Sequence, residues 1–321
     1  MTNTKDAALE ALSATFVTVT APMLRLISKC HRTMPRVRDS MDRAQIQIRG
    51  TDYYEPTYPL SHLPAKLGLE RYLPGIDFNE AAQLEMLSKC VWRDELRAMP
   101  RKMDGQTTFG FEGGQYGYGD ADMLYNFIRL YKPARIVEIG CGQSTLMAQL
   151  AIAANIRDDA AYDCLHICIE PYEMPWLETI GGVTVVRERV ETCDPEVFAA
   201  LGENDILFID SSHIIRPYGD VLKEFHEIVP AVAPGVFVHV HDMLTPRDYP
   251  ERWLREDRRL WNEQYLVESF LAYNSAFEVA CMTNWLKHNH FAALSAACGF
   301  VDEQPNCEPG AFWFRRKVKA G

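Results

Sequence analysis

From Asp120 onward, short apolar runs alternate with amphipathic stretches of helical period. The runs are Arg135–Ile139, Leu165–Ile169, Val183–Val186, Ile206–Ile209 and Val236–Val240. Each is four or five residues of mostly branched apolar side chains with no polar alternation, which predicts strands buried on both faces of a parallel sheet. Between them, Thr145–Ala154 and Asp220–Ile228 keep a helical phase. DADMLYNFIRLYKP also reads as a helix, with Asp120 as N-cap and Pro133 past its end. Two later strands are expected at Phe277–Cys281 and Ala311–Phe314.

Residues 1–119 differ in texture. Prolines are scattered, and only Asp6–Val17 and Asn79–Met99 hold a helical phase, the latter through Ala82, Leu84, Leu87 and Val91. The segment TDYYEPTYPLSHLP reads as loop or edge strand, and FGFEGGQYGYGD as a glycine- and aromatic-rich loop. The expected organisation is therefore an N-terminal helical and loop region, 1–119, covering an acceptor site, followed by an α/β domain, 120–321.

The most informative stretch is RIVEIGCGQST, Arg135 to Thr145. A strand that turns through Gly140 and Gly142 into a helix is built to bring backbone close to a nucleotide cofactor and to present free N–H groups to it. A pyrophosphate-binding turn would carry a third glycine where Thr145 stands, and an acid at Glu138 would repel it. Glu138 suits instead the cationic amino-acid end of S-adenosylmethionine. The loop, including Ser144 and Thr145, resembles the first motif of the class I S-adenosylmethionine-dependent methyltransferases, whose Rossmann-like sheet ends in an antiparallel strand.

Ligands in such sheets bind beyond the carboxyl ends of the strands. The second strand ends in Glu170, 28 residues after Gly142, placed to accept hydrogen bonds from ribose hydroxyls. Arg187–Glu191 follows the third, where adenine contacts are expected, with Glu191 as the candidate. DILFIDSSHI ends in Asp210 and continues to His213, and GVFVHVHDM ends in His241 and Asp242. Acids packed against apolar strands are costly unless paired, and a divalent cation resolves the repulsion.

This second pattern resembles the metal-dependent sugar O-methyltransferases of macrolide biosynthesis, the related cephalosporin-cluster protein, and a broad bacterial group found near natural-product and polysaccharide genes. The resemblance runs over Asp120–Lys317 and more loosely upstream through YYEP and LPGID. It implies Asp210, His241 and Asp242 as metal ligands, Asp210 also as a catalytic and cofactor-side residue, and His213 as base. The chain departs at His241, where the macrolide enzymes carry a carboxylate. A nitrogen donor leaves Mg²⁺ or Mn²⁺ open and admits Fe²⁺ or Zn²⁺. DYPERW and WNEQYLVESFL also resemble that group. Tyr249, Trp253 and Trp261 are candidate pocket-lining residues, and Asn262, Glu263 and Gln264 read as helix-start residues.

Composition narrows the partners. The chain has 321 residues, 47% hydrophobic and 24% charged, with a net charge of −11. That balance offers no basic face for nucleic acid and points to a small-molecule acceptor. Nine cysteines at irregular spacing read as free thiols, with Cys164 and Cys168 buried. No apolar run is expected to reach the ~18–20 residues needed to span a membrane, and the N-terminus lacks a secretory core, so a cytoplasmic protein is expected. His31, His62, His166, His226, His288 and His290 have no motif context, and His239 is expected to pack between strand and helix. Relatives of this type often assemble, so a homo-oligomer remains open. The expected activity is O-methylation of a small polyhydroxylated acceptor. The alternatives are metal-independent N- or carboxyl-methylation, a nicotinamide oxidoreductase and a non-catalytic scaffold.

Overall fold

The computed structural model describes residues 4–30, 33–51, 55–112 and 116–318. His31, Tyr53 and residues 113–115 of the aromatic loop lie outside them. The chain divides into two compact units, residues 1–67 with 255–260, and residues 68–254 with 261–321. Residues 68–112 thus pack with the sheet, although their sequence texture resembles the N-terminal part.

The larger unit is built on one seven-stranded sheet. Its strands are β1 (Arg135–Ile139), β2 (Leu165–Ile169), β3 (Val183–Val186), β4 (Ile206–Ile209), β5 (Phe237–Val240), β6 (Phe277–Met282) and β7 (Phe312–Arg316), in the order β3-β2-β1-β4-β5-β7-β6. The first five pair in parallel, while β7 is antiparallel to both β5 and β6. This is the mixed α/β sheet of the class I methyltransferases. Strand order reverses between β1 and β4, which opens the crevice where such sheets hold ligands.

Helices are numbered in chain order. The first two are α1 (Thr4–Cys30) and α2 (Pro35–Arg43), both in the smaller unit. Then come α3 (Glu80–Lys89), α4 (Arg93–Arg97), α5 (Asp120–Tyr131), α6 (Gln143–Asp158), α7 (Glu196–Ala199), α8 (Asp220–Lys223) and α9 (Val229–Ala231). The last four are α10 (Glu251–Arg255), α11 (Glu263–Leu271), α12 (Thr283–Asn289) and α13 (Phe291–Ala297). A π turn, Glu224–Ile228, joins α8 to α9. The single helix expected over Asn79–Met99 breaks at Cys90, leaving Val91 exposed and burying Leu96.

The core forms on both sheet faces. Phe127 of α5 stacks on Trp313 of β7 with ring centroids 4.0 Å apart, and meets Phe237 of β5 edge-on at 5.3 Å. Burying each such ring contributes about 2–3 kcal/mol. Arg129, buried in α5, reaches Asn155 (2.8 Å) and Asp158 (2.6 Å) of α6 and Glu95 of α4 (3.2 Å). Arg71 holds Glu268 of α11 through both carboxylate oxygens, at 2.8 and 2.5 Å.

Three expectations change. Asp120 is not the cap of α5: Gly119 is, and Asp122 accepts its N–H at 2.7 Å. The helix expected over Asp6–Val17 continues through Pro22 to Cys30. Its stretch Asp6–Cys30 is long and apolar enough to cross a membrane by length and composition, which corrects the reading that no segment reaches that length. All nine cysteines are free, Cys164 and Cys168 buried as expected.

Candidate active site

The turn after β1 is fixed by a close approach to β4. Gly140 has φ +77°, and a Cβ there would lie 1.9 Å from the carbonyl oxygen of Asp210. The Asp210 N–H in turn donates to Ile139 O at 2.8 Å. Only glycine fits, and its absence of side chain binds the first strand end to the fourth. At Gly142 a Cβ would meet nothing nearer than the Met174 methyl, at 3.6 Å.

Glu138 lies under this turn and is 1% exposed. Its oxygens accept from Ser144 Oγ (2.5 Å) and Thr145 Oγ1 (2.8 Å), and His166 Nε2 is 2.9 Å away. Thr145 Oγ1 also accepts the Gly142 N–H at 3.0 Å. Glu138, Ser144 and Thr145 are therefore spent on one another, and the geometry makes them braces of the turn. His166, assigned no role from the sequence, is part of that brace. Burial works against its protonation, but Cys168 and Glu138 beside it prevail and raise its pKa to about 10. Glu138, His166 and Cys168 could group as metal donors, yet all three are buried within this network.

Glu170 stands at the end of β2, half-buried, accepting from Tyr172 N (3.0 Å), Glu173 N (2.9 Å) and, across the turn, Cys141 N (3.4 Å). It borders the glycine turn, as a ribose-facing acid requires. Glu191 lies in the 3₁₀ turn Val190–Thr192 after β3, and among the described residues it shares no hydrogen bond with the other candidates.

The ends of β4 and β5 converge. Pairing of Ile209 with Val240 sets Asp210 beside His241, whose N–H donates to Ile209 O at 2.9 Å. Donor atoms of Asp210, His241 and Asp242 all lie within 4.8 Å of one another. Their mixed oxygen and nitrogen donors, with His241 Nδ1 buried and unpartnered, fit a divalent cation. His213 faces the same group, its Nε2 3.2 Å from Asp210 and 3.6 Å from Asp242. Both His213 (φ +59°) and Asp242 (φ +54°) hold left-handed backbone, a strain met where a site over-determines its residues.

Five residues to which the sequence reading gave no role at the site complete this centre. Glu263 Oε2 lies 2.9 Å from His213 Nδ1, and the N–H groups of Asn262 and Glu263 both donate to the His213 carbonyl. The flanking residues have matching tasks: Asn262 Oδ1 accepts from Ile215 N (2.6 Å), and Gln264 Oε1 from Leu244 N (2.7 Å). The start of α11 thus fastens the loops after β4 and β5. Asp120 is buried beside His241 and Asp242 and accepts the Ala311 N–H at 2.7 Å; burial raises its pKa to about 6. Tyr116 packs on the His241 ring at 5.0 Å.

Electrostatics link these groups. Burial alone would lower the His213 pKa, but hydrogen bonds to Asp210 and Glu263 outweigh it and hold the imidazole well above its ordinary value. His241 is likewise raised despite burial, through Asp242, Asp210 and Asp120. Burial opposes ionisation of Asp210, yet His241 and His213 keep its pKa below the usual carboxylate value. His239 is the contrast. Stacked on Phe208 (4.1 Å) and against Trp313 (4.6 Å), with both ring nitrogens unpartnered, it is driven neutral by burial and packs as expected. Trp261 lies against the His213 ring at 4.3 Å and meets Trp253 (5.1 Å) and Tyr249 (6.2 Å), giving an aromatic wall next to that imidazole.

A family described as a methyltransferase domain matches residues 137–243, the span that holds every candidate strand end from Glu138 to Asp242. The chain carries a class I S-adenosylmethionine-dependent methyltransferase domain. Solved structures similar to the methyltransferase include CmcI, in a structure named for Mg and SAM, at 14% identity and a TM-score of 0.33, covering 62% of this chain and 72% of that one. A protein from Thermobifida fusca described as a putative methyltransferase shares 12% identity, TM-score 0.36, over 62% and 79%. The 16S rRNA (adenine(1408)-N(1))-methyltransferase from Catenulisporales acidiphilia shares 12%, TM-score 0.26, over 68% and 96%. No curated protein matches the methyltransferase.

Proposed function

We propose that the methyltransferase acts on a hydroxyl of a small polyhydroxylated acceptor, a sugar or glycosylated natural product, with a divalent cation at Asp210, His241 and Asp242 and with His213 as base. The supporting observation is the His213 imidazole, held between Glu263 on one nitrogen and Asp210 and Asp242 on the other. Bound S-adenosylmethionine supplies a methyl group already attached to a strong leaving group. A cation at the three donors supplies polarisation of the acceptor hydroxyl.

The chain's own residues supply position and a proton path. Gly140 and Gly142 let backbone approach the cofactor, and Glu170 offers its carboxylate at the β2 end. Glu263 fixes the imidazole so that Nε2 faces the cleft. Asp210, one of the two carboxylates that favour a proton on His213, is one that a cation would hold; with its charge taken up, Nε2 would be freer to accept the hydroxyl proton, while Glu263 keeps its place on Nδ1. Tyr249, Trp253 and Trp261 would exclude water from one side.

One observation favours the second reading, metal-independent N- or carboxyl-methylation. Neighbouring carboxylates raise the pKa of both His213 and His241, and two imidazolium charges there would balance Asp210 and Asp242 without a cation. Calorimetric titration with S-adenosylhomocysteine, followed by acceptor screening with Mn²⁺ or with chelator, separates the two. Turnover of a hydroxylated acceptor that survives chelation, or that persists undiminished in His213→Ala, overturns the first reading.

A further inference from the structure

Two serines separate Asp210 from His213, and each is held by an acid from the helix that follows. Ser212 donates to Asp220 through its N–H (2.9 Å) and its hydroxyl (2.7 Å). Ser211 Oγ donates to Glu224 Oε2 at 3.1 Å. Asp220 opens α8 and Glu224 opens the π turn that continues it, a spacing of four that sets both acids on one helix face. On the other side, the N–H groups of Asn262 and Glu263 hold the His213 carbonyl. The segment carrying the imidazole is thus clamped between α8 with its π turn and the start of α11. A π turn inserts an extra residue into a helix and is frequent at functional sites; this one begins with a glutamate that is 0% exposed.

We propose that Glu224 is a positioning residue for the His213 base and that it works as an uncharged acid, leaving Glu263 the single negative charge on the Nδ1 side of the imidazole. The proposal rests on the reading of His213 as base. Glu224 and Glu263 are both buried, and in each of them Oε1 has no hydrogen-bond partner among the described residues. The π turn packs on α11, where Phe225 meets Phe270 with ring centroids 6.1 Å apart. Two carboxylates buried on facing elements repel, and one of them keeps its proton. The charged and titratable groups that face Glu224 are Glu263 from α11, Asp220 from α8 and His213 from the loop after β4. Helix α9 carries no ionisable side chain, and Lys223 pairs with Glu227. His213 Nδ1 lies 2.9 Å from Glu263 and fixes the charge there. Glu224 has only the Ser211 hydroxyl as a side-chain partner, so the proton falls to Glu224. Burial and the Glu263 charge push its carboxyl well above the usual carboxylate range. A proton on the Glu224 acid gives one of the two orphan oxygens a hydrogen to donate.

The test uses the full chain and begins without turnover. Infrared difference spectra at neutral pH, wild type against Glu224→Gln, should show a carboxylic-acid carbonyl band that the variant lacks. Titration of the imidazoles by nuclear magnetic resonance, with S-adenosylhomocysteine bound, should give His213 the same midpoint in wild type and Glu224→Gln, and a lower one in Glu263→Gln. With a hydroxylated acceptor, Glu224→Ala should lower kcat roughly tenfold or more with KM for the cofactor little changed. Glu224→Gln, which keeps the shape of the acid and an acceptor for Ser211, should recover most of that loss. Ser211→Ala breaks the same hydrogen bond with less disturbance of packing and should lower kcat even if Glu224→Ala fails to fold. A missing band, or a His213 midpoint that falls in Glu224→Gln as it does in Glu263→Gln, overturns the uncharged acid. Full kcat in Ser211→Ala overturns the positioning role. Full turnover in His213→Ala sinks the base and the positioning role with it, whereas the infrared band still tells whether Glu224 is an acid.

Discussion

Glu263 and His213 are 50 positions apart in the chain, and a 2.9 Å contact joins the carboxylate of one to Nδ1 of the other. The contact is buried and sets which imidazole nitrogen faces the cleft. Glu263→Gln should lower kcat roughly 10–100-fold, the usual cost of losing a partner that orients a reactive ligand, with KM for the cofactor little changed. The pH–rate profile should shift as well, since the His213 pKa depends on that carboxylate. An unchanged profile with a lowered Tm would reduce Glu263 to a structural role.

The donor triad predicts a metal measurement independent of turnover. Titration with Mn²⁺ should reveal one site, weakened about 100-fold or more in Asp242→Asn, since loss of an outer partner alone costs 10–100-fold. Equal affinity in the two proteins would remove Asp242 from the site.

Gly140→Ala should be severe. The added methyl would fall 1.9 Å from the Asp210 carbonyl in backbone of positive φ, so the β1 and β4 ends must part. A loss of about 3 kcal/mol is expected in chemical denaturation, together with loss of S-adenosylhomocysteine binding. The corresponding change at Gly142 meets only a flexible methionine tip and should cost far less stability.

His166 gives stability a pH dependence. Its pKa rises on folding from 6.5 to about 10, so its contribution is complete below 6.5 and fades as pH climbs through 10. The difference in unfolding free energy between wild type and His166→Gln should therefore narrow from pH 6.5 to pH 10. A difference constant over that range would contradict the protonated brace.

The sheet and its strand ends were legible because buried parallel strands are short, apolar and separated by helices, which makes the residue after each run a marked position. Glu170, Asp210, His241 and Asp242 follow from that pattern alone. Glu138, Ser144 and Thr145 were marked by the glycine turn, but the hydrogen bonds among them were not legible: spacing shows that a carboxylate sits near a strand end, not which way it points. Glu263 and Asp120 were visible only as helix-start residues, since their meaning comes from His213, 50 positions away, and His241, 121 positions away. The break at Cys90 was hidden because no proline or glycine marks it and Leu96 resumes an apolar position.

The strand between β5 and β6 has a temporal consequence. β7 is the last of this sheet's seven strands in chain order, yet the Ala311 N–H holds Asp120 beside the donor cluster, and Gly310 lies so close to Asp242 that a Cβ would approach its Cα to 2.9 Å. A growing chain that has already produced Asp210, His213 and Asp242 still has β5 as an open sheet edge. The catalytic floor therefore closes only after synthesis has passed residue 316, and the half-made enzyme exposes a sticky margin rather than a working site. Truncation before Pro309 should yield aggregation, not a weakened catalyst.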